Sequence, residues 1–243
     1  MKKFIPNLLT LLNLLCGCIA IVFAMEDHLE TAALFVFLGI FFDFFDGFAA
    51  RVLKVQSELG IQLDSLADMV TSGVVPGIVL FKLLHLASPE WHFLEYDFAG
   101  SSLLPYTGFL VTLGAAYRLA KFNIDEDQVS SFKGLPTPAF TLFVLALPLI
   151  LAYQQNDLMN SIIVNEWFLI VVIIFGVIAM NAPVKLFALK FKNTAFKDNA
   201  VRYTFLLLSL VLLIVLQFAA IPLIIILYIL LSATVNKFFN IPS

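Results

Sequence analysis

Four aspartates, Asp43, Asp46, Asp64 and Asp68, interrupt an otherwise strongly apolar chain. Asp43 and Asp46 are three positions apart and Asp64 and Asp68 four apart, so on helices each pair projects from one face. Carboxylates in apolar, lipid-like surroundings are expensive, and where they occur they mark a working site. Their oxygens are hard ligands: two neighbouring helices offering two carboxylates each can hold Mg²⁺ or Mn²⁺. Gly47 and Gly60 stand beside the pairs, where the missing side chain lets a backbone or a ligand come close. The chemistry on offer is that of a divalent-metal centre.

The rest of the chain must position that centre, and its composition says how. Of 243 residues, 61% are hydrophobic and 13% charged, and the mean hydropathy is +1.00. A soluble domain would be about half apolar and about a quarter charged. The excess apolar surface therefore faces lipid. Twenty-six Phe and long Leu/Ile/Val runs suit helices, since the strands of a β-barrel would alternate. The formal charge of −3 and the lack of a basic cluster exclude a nucleic-acid footprint. Cys16 and Cys18 lack the further Cys or His a metal site needs and are read as small buried hydrophobes. His28, His85 and His92 fall toward the membrane side opposite the carboxylates and are not read as ligands.

Eight spans follow from apolar runs of about 20 residues. They are Ile5–Met25, Thr31–Leu53, Glu58–Leu86, Ser102–Phe122, Pro136–Tyr153, Ile163–Met180, Asn199–Ala219 and a last one from Pro222 to near Asn236. The third should kink at Pro76-Gly77, because proline removes a helix hydrogen bond. The opening Met-Lys-Lys and its apolar run read as a retained first helix and not a cleaved leader. Of the 14 Lys and Arg, only Lys82 falls on the side of the membrane away from the aspartates. By the positive-inside rule both termini are cytoplasmic, and so is the mouth of the acidic site. The expectation is an all-α integral membrane protein of about eight transmembrane helices. It forms a single domain over residues 1–243, with a polar active site near the cytoplasmic face.

Asp43 to Asp68 also matches in full the pattern D-x2-D-G-x2-A-R-x8-G-x3-D-x3-D. In this it resembles the CDP-alcohol phosphatidyltransferases, with Asp43, Asp46, Gly47, Ala50, Arg51, Gly60, Asp64 and Asp68 in place. The resemblance implies that an alcohol attacks the β-phosphorus of a CDP-linked lipid and releases CMP. It implies two ions, Mg²⁺ or Mn²⁺, bridged by Asp43 and Asp64, with Asp46 completing one site and Asp68 the other. Paired metals of this kind sit about 4 Å apart and align attacking and leaving oxygens. Asp68 would also act as the catalytic general base. Pro6, Asn7, Thr10, Gly47, Arg51, Ser57 and Gly60 would contact the CDP-lipid. For Arg51 the plainer alternative is a snorkelling anchor, and for Asn7 and Thr10 a helix cap.

Three further stretches bear on the acceptor: F-I-P-N-L-L-T-L-L-N-L-L-C-G, Y-R-L-A-K-F-N-I and F-K-G-L-P-T-P-A. They resemble the membrane-embedded phosphatidylserine synthases within that family, which implies CDP-diacylglycerol and L-serine as substrates in the membrane lipid, and a homodimer in the cell membrane. Arg118, which can grip a carboxylate bidentately as Lys121 cannot, would face serine or a phosphate together with Lys121, Lys133 and Asn13. The alternatives are a charge belt for Arg118 and Lys121, a plain start of the fifth helix for the loop of Lys133, and a helix–helix hydrogen bond for Asn13. Two other functions stay open: the same transfer to glycerol 3-phosphate, and a cation-coupled secondary transporter. Against the transporter, the acidic cluster lies toward one face and no inverted repeat is present.

Overall fold

A stripe of small residues decides how the chain begins to fold. Helix α1 (Phe4–Met25) buries Thr10, Asn13, Gly17, Ala20 and Ala24, and α2 (Leu29–Leu53) buries Ala32, Ala33, Val36, Gly39 and Asp46. Both series run at three- and four-residue spacing, one helix face each. In lipid there is little hydrophobic drive between helices, so seams of small residues associate by close backbone approach and hydrogen bonding. The polar members of the stripe gather at the end of the seam that holds the aspartates. Cys16 lies in the seam, but Cys18 is exposed, correcting the expectation that both are buried. Two residues apart on a helix means nearly opposite faces.

The computed structural model describes residues 4–87, 103–124, 133–184, 186 and 196–239, and every regular element among these is helical. Lys2, Lys3, His92, Lys185, Lys190 and Lys192 lie outside the described residues. After α2 come α3 (Glu58–Asp68), a π-helical stretch Met69–Val74, and α4 (Val75–Ala87). The expected irregularity near Pro76-Gly77 takes the form of that π-helical stretch just before the proline. Pro76 has no N–H to return to the carbonyl of Ser72. The Thr141 hydroxyl donates to Ser72 O instead, at 3.0 Å. Thr112 likewise donates to Gly73 O at 2.9 Å, and Thr71 donates to Asn13 O at 3.1 Å. Irregular backbone at membrane depth is stable only when neighbouring helices satisfy it; two hydroxyls from neighbouring helices do so here, while Thr71 of the stretch ties it to α1.

A 3₁₀ turn (Leu104–Gly108) leads into α5 (Phe109–Ile124). Helix α6 (Thr137–Tyr153) is the central one, buried on nearly all sides from Phe140 to Ile150. The expected sixth span, Ile163–Met180, is α8 (Glu166–Asn181), and a short helix not expected from the sequence, α7 (Asp157–Ile163), precedes it at 64°. Asn156 and Asn165 cap them by accepting from Met159 N and Phe168 N, so each start is locally encoded. Helix α9 (Phe196–Leu216), a 3₁₀ turn (Gln217–Ala219) and α10 (Ala220–Phe239) complete the order. The rings of Phe205 and Tyr228 are 5.7 Å apart, whereas a straight helix would separate them by roughly 34 Å. Thus α9 and α10 form a hairpin. Gln154 closes its turn, donating to Leu216 O at 2.8 Å and accepting from Ala219 N at 3.0 Å.

The eight helical runs occur in the expected order and agree with an integral membrane protein. By length and apolarity alone, Phe4–Met25, Leu29–Leu53, Glu58–Ala87 and the stretch Val201–Thr234, which contains the hairpin turn, qualify to cross a bilayer, with α7 and α8 together as a further candidate. Helices α5 and α6, at 16 and 17 residues, fall short of the ~20 needed for a straight crossing. Packing explains α6, which is enclosed by protein and needs no lipid-matched surface. Outward-facing Phe41, Phe44, Leu66, Leu113, Leu207 and Ile214 supply the apolar exterior. At the end remote from the aspartates, Lys82 donates to Met25 O and pairs with Asp27 at 2.9 Å.

Candidate functional site

The aspartates meet because the α1–α2 seam and the start of α3 converge at one end of the bundle. One carboxylate oxygen each from Asp43, Asp46 and Asp64 lies within 4.8 Å of the other two. Asp43 and Asp64, from different helices, are in direct side-chain contact. Asp46 is 6% exposed and accepts a 2.6 Å hydrogen bond from the Thr10 hydroxyl. Among the described residues, no Lys or Arg forms an ion pair with these carboxylates. Two like charges at that separation repel by roughly 3 kcal/mol at an effective dielectric of about 20. A divalent cation removes the repulsion, and an all-oxygen donor set fits Mg²⁺ or Mn²⁺. Asp43, Asp46 and Asp64 are the residues that would hold it.

Asp68 adjoins this triad, close enough to Asp43 and Asp64 for their charges to act on one another. One turn beyond Asp64 on α3, it accepts a 3.2 Å hydrogen bond from Asn13 Nδ2. The expected pairing of Asp68 with Asp64 on one helix face holds, and its Oδ1 faces Asn13.

A cavity of about 250 Å³ opens beside Asp46 and Asp64. Every residue expected to contact the CDP-lipid lines it: Pro6, Asn7, Thr10, Gly47, Arg51, Ser57 and Gly60. A local turn builds the far wall. Lys54 takes the left-handed conformation, φ 54°, and its N–H closes α2 onto Ala50 O and Arg51 O. Ser57 then caps α3 by accepting from Gly60 N at 3.1 Å. Val55, Gln56 and Ile61, which sequence reasoning missed, also line the cleft, as does Ala50 of the signature. The usable signal was the short gap between the Arg51 end of one helix and the Ser57 cap of the next, which forces Val55 and Gln56 over the opening.

The residues expected in an acceptor pocket are elsewhere. None of Asn13, Arg118, Lys121 and Lys133 is among those lining the cleft. Asn13 is buried under the aspartates, and Lys121 is exposed near the end of α5. Arg118, 9% exposed, donates through Nη1 to Lys133 O at 2.9 Å and to Met180 O at 2.5 Å. It ties the segment before α6 to the end of α8, where Gly134 N also donates to Val184 O and Leu135 N to Ala179 O. Gly134 has φ +73° and abuts both Met180 O and the guanidinium, so only glycine suits that position. Asn123 joins α5 to α3, accepting from Ser65 and donating to Gln62. Asn181 is the last residue of α8 and donates to Gly114 O.

One consequence concerns Thr10. Its hydroxyl fixes the carboxylate of Asp46, and groups that orient a metal's ligands typically contribute about 10- to 100-fold to affinity or activity. Thr10→Val should weaken Mn²⁺ binding about 10-fold, measured by paramagnetic resonance of free Mn²⁺, with the melting temperature little changed.

Comparison with known proteins agrees with this geometry. Residues 3–178 match the model of the CDP-alcohol phosphatidyltransferase family, a span from the start of α1 to the last turn of α8. The chain is 34% identical over 164 residues to the CDP-diacylglycerol–serine O-phosphatidyltransferase of Bacillus subtilis (strain 168), covering 66% of this chain and 81% of that one. It is 29% identical over 178 residues to the enzyme of that name from Helicobacter pylori (strain ATCC 700392 / 26695), covering 72% and 69%. With the Methanocaldococcus jannaschii enzyme of the same name, identity is 31% over 160 residues, 65% of this chain and 68% of that one. A three-carboxylate centre at one end of a membrane helix bundle, a cleft beside it and a family match over most of the chain have one reading: the chain belongs to the CDP-alcohol phosphatidyltransferase family, integral membrane enzymes of phosphatidyl transfer.

Proposed function

We propose that the protein transfers the phosphatidyl group of CDP-diacylglycerol to L-serine, giving phosphatidylserine and CMP. The observation that carries this reading is the coincidence of the Asp43–Asp46–Asp64 triad with a cleft lined by all seven expected CDP-lipid contacts. The serine hydroxyl oxygen forms a bond to the β-phosphorus while the bond from that phosphorus to the bridging oxygen of CMP breaks. Mg²⁺ or Mn²⁺, two ions per site in this reading, would neutralise the pyrophosphate and the charge that moves onto CMP. The protein's own residues bind and orient. Asp43, Asp46 and Asp64 anchor the ions, Thr10 holds Asp46, and Gly47, Arg51, Ser57 and Gly60 with Pro6 and Asn7 bed the nucleotide end. Asp68, outside the triad, takes the proton from the attacking hydroxyl. The similarity of the chain to enzymes named for serine supports the acceptor.

In the same reading the whole chain, 1–243, is one membrane domain in the cell membrane, with both termini cytoplasmic, and it works as a homodimer. The basic end near Arg51, Arg118 and Lys121 then faces the cytoplasm, and the Lys82–Asp27 end faces away. Nucleotide and serine would enter from the cytoplasm while the lipid tails stay in the bilayer.

The test is CMP release from detergent-purified protein supplied with CDP-diacylglycerol, Mn²⁺ or Mg²⁺, and each alcohol in turn. Release with serine and not with glycerol 3-phosphate is expected. Release with glycerol 3-phosphate alone would reassign the acceptor, and no release with any alcohol would refute the transfer. Arg118→Lys removes the fork that grips Lys133 O and Met180 O and offers serine its remaining donors. It should raise the apparent KM for serine about 10-fold, the loss of one charge-assisted contact, with CDP-diacylglycerol binding unchanged. An unaltered serine KM would return Arg118 to a purely structural role.

A further inference from the structure

Asn13 has a place in the site that neither its expected role nor the metal triad accounts for. It is 0% exposed, in the seam between α1 and α2. Its Nδ2 donates to Asp68 Oδ1, bridging 55 positions of chain, while its own Oδ1 has no hydrogen-bond partner. A side chain kept only for packing would be poorly chosen here. Buried polar atoms are almost always paired, and an unpaired amide oxygen in a dry seam is destabilising where leucine of similar size would not be.

The surroundings hold the amide in place. Thr71, from the π-helical stretch just after Asp68, donates to the Asn13 carbonyl at 3.1 Å and so fixes its main chain. On the α2 side, a Cβ at Gly39 would come within 2.9 Å of Asn13 Oδ1 and equally close to Thr71 Cγ2. The absence of a side chain at Gly39 is what lets the amide lie flat between the two helices and reach Asp68. The same π-helical stretch, irregular because of Pro76, thus locks the residue that contacts Asp68.

We propose that Asn13 is a positioning residue for phosphatidyl transfer, holding Oδ1 of Asp68 so that Oδ2 is the oxygen presented to the acceptor hydroxyl. The inference rests on Asp68 being the general base. An amide locked in the seam fixes the carboxylate's rotation about its Cβ–Cγ bond, and misplacing a reacting group by about 1 Å can reduce rate about 100-fold.

Asn13→Leu keeps the shape and removes the donor. Its kcat for CMP release with serine should fall about 10- to 100-fold, with the apparent KM values for serine and CDP-diacylglycerol little changed and the melting temperature equal or higher. Placed on top of Asp68→Asn, whose residual turnover is measured with labelled serine, Asn13→Leu should cause no further loss, because groups acting through one another are not additive. Asn13→Ala repeats both measurements should leucine disturb the seam. An unchanged kcat in the single variants, or the same fold-loss in both backgrounds, would overturn the positioning role while leaving Asp68 as base. Near-normal turnover of Asp68→Asn by itself would overturn the base assignment, and the role of Asn13 with it.

Discussion

Asp64→Asn should lower CMP release by on the order of 10³-fold at saturating Mn²⁺, the equivalent of about 4 kcal/mol of transition-state stabilisation. Asp64 touches Asp43 from another helix and lies within 4.8 Å of Asp46. Substitution there removes one ligand and one of the charges that attract the cation. Stability should move the other way. Without metal, three crowded carboxylates repel by up to a few kcal/mol at an effective dielectric of about 20. Metal-free Asp64→Asn should therefore melt no lower than metal-free wild type. Added Mn²⁺ should raise the melting temperature of the wild type and do little for the variant, since only a bound ion stabilises the native state by mass action. A Mn²⁺-dependent shift of equal size in both proteins would show that the triad is not where the ion binds. Chelation of wild type should reproduce the activity loss and be reversed by adding Mn²⁺ back.

Asp68→Asn should reduce turnover about 10²- to 10⁴-fold, the span usually contributed by a positioned general base. The substitution keeps shape and a hydrogen-bonding oxygen but removes the ability to take a proton. Because Asp68 lies outside the triad, CDP-diacylglycerol binding and Mn²⁺ affinity should both survive, so the loss should appear in kcat. The pairing matters for interpretation. If Mn²⁺ affinity fell in parallel with kcat, Asp68 would be a metal ligand first, as the resemblance implies, and its role as base would need separate support. Intact metal binding with lost turnover separates the roles of neighbouring aspartates on α3.

Much of this was legible in the chain because it depends on local spacing. The i,i+3 and i,i+4 pairs of aspartates need only a helix to share a face, and apolar runs dictate membrane helices through length alone. The turn from Lys54 to Ser57 is another local matter, settled by a left-handed residue and a serine cap. The nucleotide-side residues were named from the family resemblance, and they were found around one cleft. Arg118 was harder to read. Its type announces a grip on a carboxylate or phosphate, and its donors do reach oxygens, yet those of Lys133 and Met180 are backbone carbonyls. Side-chain chemistry fixes what a group can bind, and packing decides which of the possible partners lies within reach.

By itself, then, the sequence determined the membrane class, the order of the helices, the pairing of the aspartates along each helix and the chemistry open to them. Only the tertiary structure decided that the two pairs converge, with Asp43, Asp46 and Asp64 within 4.8 Å of one another and Asp68 beside them. It also decided that Thr10 serves Asp46 and Asn13 serves Asp68, and that α6 is the enclosed centre of the bundle. The reason is physical. Periodicity and charge are properties of neighbouring residues, whereas a hydrogen bond across 36 or 55 positions exists only where small side chains let two helices close to contact distance. The α1–α2 seam of Ala20, Ala33 and Gly39 provides that approach for Thr10 and Asp46, and Gly17, against Thr71, lets α1 close on the stretch that follows Asp68.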